Sequence, residues 1–188
     1  MKRKCTGTAV MAQHTHMLQA IALIELGARL QVVQTEVPLS REKLGRLYFE
    51  IRGEHAPKGM LPFSMDWFMS PIPNLHASMF YSVYAYMTEH GAQSQLDRLI
   101  AAYRVYVEQS RSTAATPDAC GDRVLSFTRA WLLVRFFDSH MLQLEQCVLC
   151  RGAYIVHAHD LHPVYVCHSC RTCKRAAQHP SPQTRDKH

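Results

Sequence analysis

CVLCRGAYIVHAHDLHPVYVCHSC, running from Cys147 to Cys170, decides how the C-terminal part of this chain folds. Two Cys-x-x-Cys pairs stand sixteen residues apart, a spacing that reads as a zinc site. Reach is the reason. A tight turn lets two thiolates share one ion, and a short return of the chain brings a second pair to complete a tetrahedron. Between the pairs, residues 154–159 and Val164, Tyr165 and Val166 are β-branched and aromatic, which predicts two short strands forming a hairpin between the knuckles. Gly152 suits the turn after the first pair. The spacing therefore assigns one structural zinc ion to Cys147, Cys150, Cys167 and Cys170. Cys173 forms an overlapping pair with Cys170, and His157, His159, His162 and His168 are further donors, so these stay open as alternatives. Cys5 and Cys120 read as plain thiols.

Other cysteine chemistry fits less well. A redox pair stands alone at a helix start near a βαβ pattern. Disulfides belong to oxidising compartments, and the N-terminus reads as a poor signal peptide: MKRKCTGTAVMAQHTH begins basic but has no apolar stretch after it, so reduced thiols are expected. A catalytic zinc needs an open coordination position and a general base. Four thiolates close the shell, and Asp160 is the sole carboxylate in the stretch. Elsewhere there is no nucleophile–base pair and no phosphate-binding glycine loop, while His76, His90 and His140 are scattered. The chain is expected not to be an enzyme.

At 188 residues with 47% apolar and 19% charged content, the composition is that of a globular protein with a sizeable core. No apolar run approaches the roughly 20 residues that span a bilayer, so a cytoplasmic protein without membrane contact is expected. The net charge of +6 is uneven. Residues 1–58 hold nine Lys/Arg against five Asp/Glu, residues 151–188 six against two, and the stretch between six against eight. Basic ends around an acidic centre suit a polyanionic partner, because Lys/Arg contacts to phosphates release counterions.

Helical periodicity runs through much of the rest. Leu18, Ile21, Ala22, Ile24 (or Leu23) and Ala28 recur at helical spacing, and Pro38 then breaks the pattern. Ser40 reads as an N-cap, Leu44, Leu47, Tyr48 and Ile51 as a buried stripe, and Gly53 as a stop. Residues 55–74 hold four prolines and predict an irregular apolar connection in which Phe63, Trp67 and Phe68 pack down. Helix resumes at Asn74 and stops at Gly91. A further helix begins after Ser94, with Asp97 at capping-box spacing and Leu96, Leu99, Ile100, Tyr103 and Val107 as its stripe. Residues 110–122 read as a loop. From Val124 a long apolar helix is expected to lead straight into Cys147.

Residues 20–52, a helix, a break and a second helix with basic residues, resemble a helix-turn-helix. In that motif the second helix enters the major groove. Arg41, Lys43 and Arg46 hold its early positions, with Arg29 and Arg52 in reach of the backbone and Arg151, Arg171, Lys174 and Arg175 near the cysteines. An ordinary helical hairpin with a solvated basic face reads equally well. Phe80, Tyr81, Tyr84 and Tyr86 sit on an apolar helix and read as packing residues rather than base-stacking ones.

Seven stretches carry a family likeness: ELGARLQ (25–31), PLSREKLGRLYFEIRG (38–53), PKGMLPFSMDWFM (57–69), HASMF (76–80), AYRVYVEQ (102–109), SFTRAWLLVRFF (126–137) and LQLEQCVLC (142–150). In order and over roughly residues 18–175, they resemble the FlhC family of bacterial flagellar transcriptional activators. The resemblance implies a partner, FlhD, in a complex of four FlhD with two FlhC that binds flagellar promoter DNA and recruits RNA polymerase. It also implies one zinc ion on the four cysteines at positions 147, 150, 167 and 170. Cys173 is one cysteine more than the family pattern, and Met65 stands where a small polar residue is expected.

The expected architecture is mainly α. A flexible basic arm (1–17) precedes a helical body (18–146) with a helix-turn-helix-like start. A zinc-bound β-hairpin module (147–175) and a disordered tail (176–188) follow. The rival function is a zinc-stabilised protein-interaction module that does not touch DNA.

Overall fold

A computed structural model describes residues 6–113, 124–160 and 165–171. Cys5, Cys120, His162, Cys173, Lys174 and Arg175, the expected second strand's start at Val164, most of the 110–122 loop and the 176–188 tail lie outside the described residues.

The first helix, α1 (Thr6–Glu25), begins well before the expected body. Residues 6–17 are thus helical rather than a loose arm, because AVMAQ holds good helix formers and no proline. The buried stripe is Ala20, Leu23 and Ile24, whereas Leu18 is 53% exposed. Gly27 then ends the helix at φ 87°. Its amide donates to the Ile24 carbonyl at 3.0 Å and the Ala28 amide to that of Leu23 at 2.9 Å, the paired bonds of a Schellman stop. The apolar periodicity continues past this point, so one expected helix is really two. The second is α2 (Leu30–Glu36), and α3 (Arg41–Arg52) follows across a four-residue turn. Ser40 caps α3 by accepting from the Lys43 amide, and Gly53 closes it at φ 70°. These three helices pack on one another as a helix-turn-helix-like unit around Leu23, Val32, Val33, Leu44 and Tyr48.

A short α4 (Asp66–Met69) buries Phe68, while Trp67 is partly covered by the Arg129 guanidinium, 3.9 Å above its ring. Phe63 touches Phe136 edge-on yet stays mostly exposed, against the expectation that it packs down. The next helix, α5 (Pro71–His90), starts earlier than Asn74, since proline fits the first helical turn, where its missing N–H costs nothing. Phe80 and Tyr84 are core, Tyr81 stacks on Phe137, and Tyr86 is exposed. The following α6 (Gln95–Thr113) opens with the expected cap: the Asp97 amide donates to Ser94 Oγ at 3.2 Å. Its whole expected stripe is buried.

Phe127–Asp138 forms α7, apolar on nearly every side and the spine of the core. Glu36 at the end of α2 ties the N-terminal unit to it, accepting from Trp131 Nε1 at 2.7 Å and pairing with Arg135. The helix does not reach Cys147. His140 adopts φ 55°, its amide donates to the Phe137 carbonyl and the Met141 amide to that of Phe136, and the chain turns into a strand. This is β1 (Leu142–Gln146), paired antiparallel with β2 (Ala153–His157) so that Leu144 faces Ile155. The hairpin therefore encloses the first cysteine knuckle and does not lie between the two pairs. Residues 165–166 belong to no strand.

Among the described residues, no helix is long and apolar enough to cross a membrane.

Candidate metal centre

The hairpin is anchored before the cysteines are reached. Leu142 and Ile155 are part of the body core, and Val156 is buried beside them in the strand. The outer edge of β2 is met by two polar side chains of α5. Asn74 Nδ2 donates to the Ile155 carbonyl at 2.8 Å, and the Ile155 amide donates to Ser78 Oγ at 3.1 Å. Ser78 in turn donates to Asn74 Oδ1 at 3.3 Å, and Asn74 also donates to the Phe68 carbonyl. Buried polar groups of this kind are tolerable when each is satisfied, and these rigidly set the hairpin on the helix. Sequence reasoning passes over both residues, because Asn74 reads only as the point where helix resumes and nothing in the helical pattern singles out Ser78.

Cys147 leaves β1 fully buried. Its amide donates to the Gly152 carbonyl at 2.9 Å, and the Arg151 amide returns to the Cys147 carbonyl at 2.8 Å, closing the first knuckle. The left-handed residue in this turn is Arg151, at φ 61°, and not Gly152. The Val148 amide bonds the Tyr165 carbonyl, which brings the second knuckle alongside. There Cys167 precedes a short helical turn, residues 168–171, that carries Cys170, and the Cys167 amide points at Cys147 Sγ from 3.4 Å.

All four sulfurs lie within 4.8 Å of one another, and those of Cys150 and Cys167 are 3.7 Å apart. A tetrahedral ion with metal–sulfur bonds of about 2.3 Å needs sulfurs roughly 3.8 Å apart. The four cysteines fit one metal ion. Their electrostatics agree. The Cys147 thiol is pushed down to about 6, first by the Cys167 amide and then by that of Cys150. Cys170 is pushed up to about 12, chiefly by its hydrogen bonds to the Cys167 and Cys150 sulfurs, and desolvation raises Cys167. A divalent ion at the centre of the four sulfurs would favour the thiolate form of each. No histidine belongs to the cluster among the described residues. His157 instead lies 3.8 Å from Asp66, and His159 and His168 are exposed.

The expected DNA-contacting residues are scattered by the fold. Arg29 is engaged elsewhere: its guanidinium donates to the Met60 carbonyl at 2.7 Å, and its amide to Thr128 Oγ1. On α3, with Leu44 and Tyr48 turned inward, Arg41 and Arg52 share one flank about three turns apart, and Lys43 lies on the other. Arg46 faces outward between Glu42 and Glu50. Arg151 and Arg171 are exposed on the metal module.

The family described as flagellar transcriptional activator (FlhC) matches residues 4–183 of this sequence. The chain belongs to the FlhC family. It is 46% identical over 170 residues to a flagellar transcriptional regulator FlhC of Paraburkholderia atlantica, covering 90% of this chain and 76% of that protein. The namesake in Paraburkholderia phymatum is 48% identical over 162 residues, 86% and 71% of the two chains. That of Variovorax paradoxus is 46% identical over 173 residues, 92% and 83%. FlhC proteins are transcriptional regulators and not catalysts, which agrees with four cysteines able to close the shell of a metal ion. In this FlhC-family chain the four cysteines, the hairpin and all seven described helices fall inside the matched region.

Proposed function

We propose that the chain is a DNA-binding activator subunit that works with FlhD at flagellar promoters in the cytoplasm and recruits RNA polymerase. The family membership supports this reading, and the observation that carries its chemistry is the closed four-cysteine cluster. The ion is zinc. Four thiolates with tetrahedral spacing suit it, and such sites contribute folding energy rather than reactivity. The assembly is a hetero-oligomer of four FlhD with two copies of this chain.

For the DNA contacts we take the basic residues on the flanks of α3, off the Glu42–Arg46–Glu50 line, and those beside the cysteines. These are Arg41, Lys43 and Arg52 on α3, and Arg151 and Arg171 beside the metal, with Lys174 and Arg175 continuing the basic run. Arg29 acts as a structural tie, and Arg46 belongs to a different surface, the acidic-flanked line on α3. The metal's part is to hold Arg151 and Arg171 in register with the helical body, through the hairpin that Asn74 and Ser78 clamp.

The test is a salt titration of promoter duplex against the zinc-loaded chain mixed with FlhD. Log affinity is expected to fall linearly with log salt, by about 0.9 per phosphate neutralised. Replacing Arg41 and Arg52 by alanine should lower that slope by about 1 for each arginine that sits on a phosphate. Duplex binding that is absent, or indifferent to salt, in every combination would leave the chain as a protein-interaction module.

A further inference from the structure

We propose that Cys150 and Cys167 form an oxidation site: a peroxide joins their sulfurs in a disulfide, and the module then gives up its metal. A closed shell denies a substrate the ion, yet the sulfurs keep lone pairs that an electrophilic oxygen can meet. Access to them is uneven. Cys147 is fully buried and Cys167 and Cys170 are half-buried, whereas Cys150 is exposed. A cavity of about 500 Å³ between the start of α5 and the metal module has Cys150 and Cys167 in its wall. Among the described residues, its wall does not include Cys147 or Cys170. Gly152 keeps the Cys150 sulfur open. A Cβ at that position would stand 3.4 Å from Cys150 Sγ, in contact with it, and glycine leaves that side bare.

The sulfur that an oxidant reaches first has its partner beside it. Cys150 Sγ and Cys167 Sγ are 3.7 Å apart and share one cavity wall. Cys147, the neighbour within the first knuckle, is less available, since its sulfur is buried and already takes the Cys167 amide. The Cys150 thiolate attacks an oxygen of hydrogen peroxide, the O–O bond breaks, hydroxide leaves and a sulfenic acid remains. The Cys167 thiolate then attacks that sulfur, the S–S bond forms and a second hydroxide leaves. Two electrons pass from the thiolates to the peroxide, and two solvent protons turn the hydroxides into water. The ion is left with the sulfurs of Cys147 and Cys170, half of the set that a structural site needs. A dithiol restores the pair by exchange, becoming a disulfide itself. This site presupposes zinc on the four sulfurs, which the metal content before oxidation checks separately.

The zinc-loaded full chain is treated with hydrogen peroxide, released zinc is followed with a colorimetric chelator, and free thiols are blocked before tryptic mapping. Cleavage after Arg135, Arg151 and Arg171 puts Cys147 and Cys150 in one peptide, residues 136–151, and Cys167 and Cys170 in the next, residues 152–171. The expected product is a disulfide between the two peptides, at Cys150 and Cys167, that forms in step with zinc release and is erased by dithiothreitol. Gly152→Ala removes no ligand and crowds the Cys150 sulfur. It should keep its zinc and release it to peroxide about threefold more slowly. A disulfide inside either peptide or at another pair would overturn the proposal. So would zinc that stays bound, zinc released without a bond between the peptides, or an alanine variant that matches the wild-type rate. Zinc absent before peroxide is added would overturn the metal assignment, and this site with it.

Discussion

A Cys147→Ser chain is expected to lose metal binding at the four-cysteine cluster and, with it, the order of residues 142–160 and 165–171, while the helical body keeps most of its ellipticity. The loss is expected to be large because Cys147 is the ligand at the centre of the construction. It is fully buried, it ends β1, and it receives the Cys167 amide that joins the two knuckles. Serine offers a harder, weaker ligand of higher pKa, and the remaining three thiols have no ion to hold them together. Structural zinc sites contribute on the order of 10 kcal/mol or more of apparent folding energy. A module of two five-residue strands has little else to offset its ordering entropy. Amide exchange is the measurement. The 142–157 hairpin should exchange orders of magnitude faster in the variant or after chelation, and helices α1 to α3 should change little. Since Ile155 bonds Asn74 and Ser78, the start of α5 should loosen with the hairpin. A variant that still binds one equivalent of metal with unchanged protection would contradict the structural role assigned to the metal.

Phe136→Ala has the second large effect, and it acts on the body. Phe136 is fully buried at the C-terminal end of α7, edge-on to Phe68 of α4 and to Phe63. Its carbonyl also accepts the Met141 amide at the turn into β1. Truncation removes an aromatic ring from a packed junction of three segments, which costs about 3–5 kcal/mol. For a chain of this size that is roughly a 10 °C fall in melting temperature. The neighbours that could relax into the space are themselves rings of fixed shape, so little recovery is expected. Phe136→Leu, which keeps most of the volume, should cost about half as much. Calorimetry of the metal-loaded proteins separates the two, and equal melting points for alanine and wild type would show that this junction is not part of the core.

Both outcomes turn on features that the sequence displays unevenly. Cysteine spacing announces the metal site because ligand geometry is local and few other structures need two such pairs. The stripe of α6 and the caps at Ser40 and Ser94 are legible for the same reason: each depends on neighbours within a turn. What does not show is where helices stop when the stopping residue is not the usual one. Gly27 lies inside a continuing apolar pattern, and the left-handed conformation at the end of α7 falls to His140 rather than to glycine. The alternation of Leu142 and Leu144 with Gln143 and Glu145 is the available signal for β1, masked by the strongly apolar helix before it. The pairing of β1 with β2 around the first knuckle then displaces the hairpin expected between the two pairs. Contacts between distant segments are illegible altogether. Nothing near Asn74 points to Ile155, and nothing near Glu36 points to Trp131. The basic residues illustrate the remaining gap. Their number suggests a polyanion, but only the fold separates Arg41 from Arg46 and ties Arg29 to the Met60 carbonyl.

X-ray absorption at the zinc edge of the protein purified without added metal tests the central claim most directly. The expected result is one zinc per chain with four sulfur neighbours at about 2.3 Å and no lighter atom bound to the ion. A nitrogen or oxygen ligand, or fewer than four sulfurs, would mean that the site is open or that a histidine has replaced a cysteine, and the reading of a closed structural staple would fail.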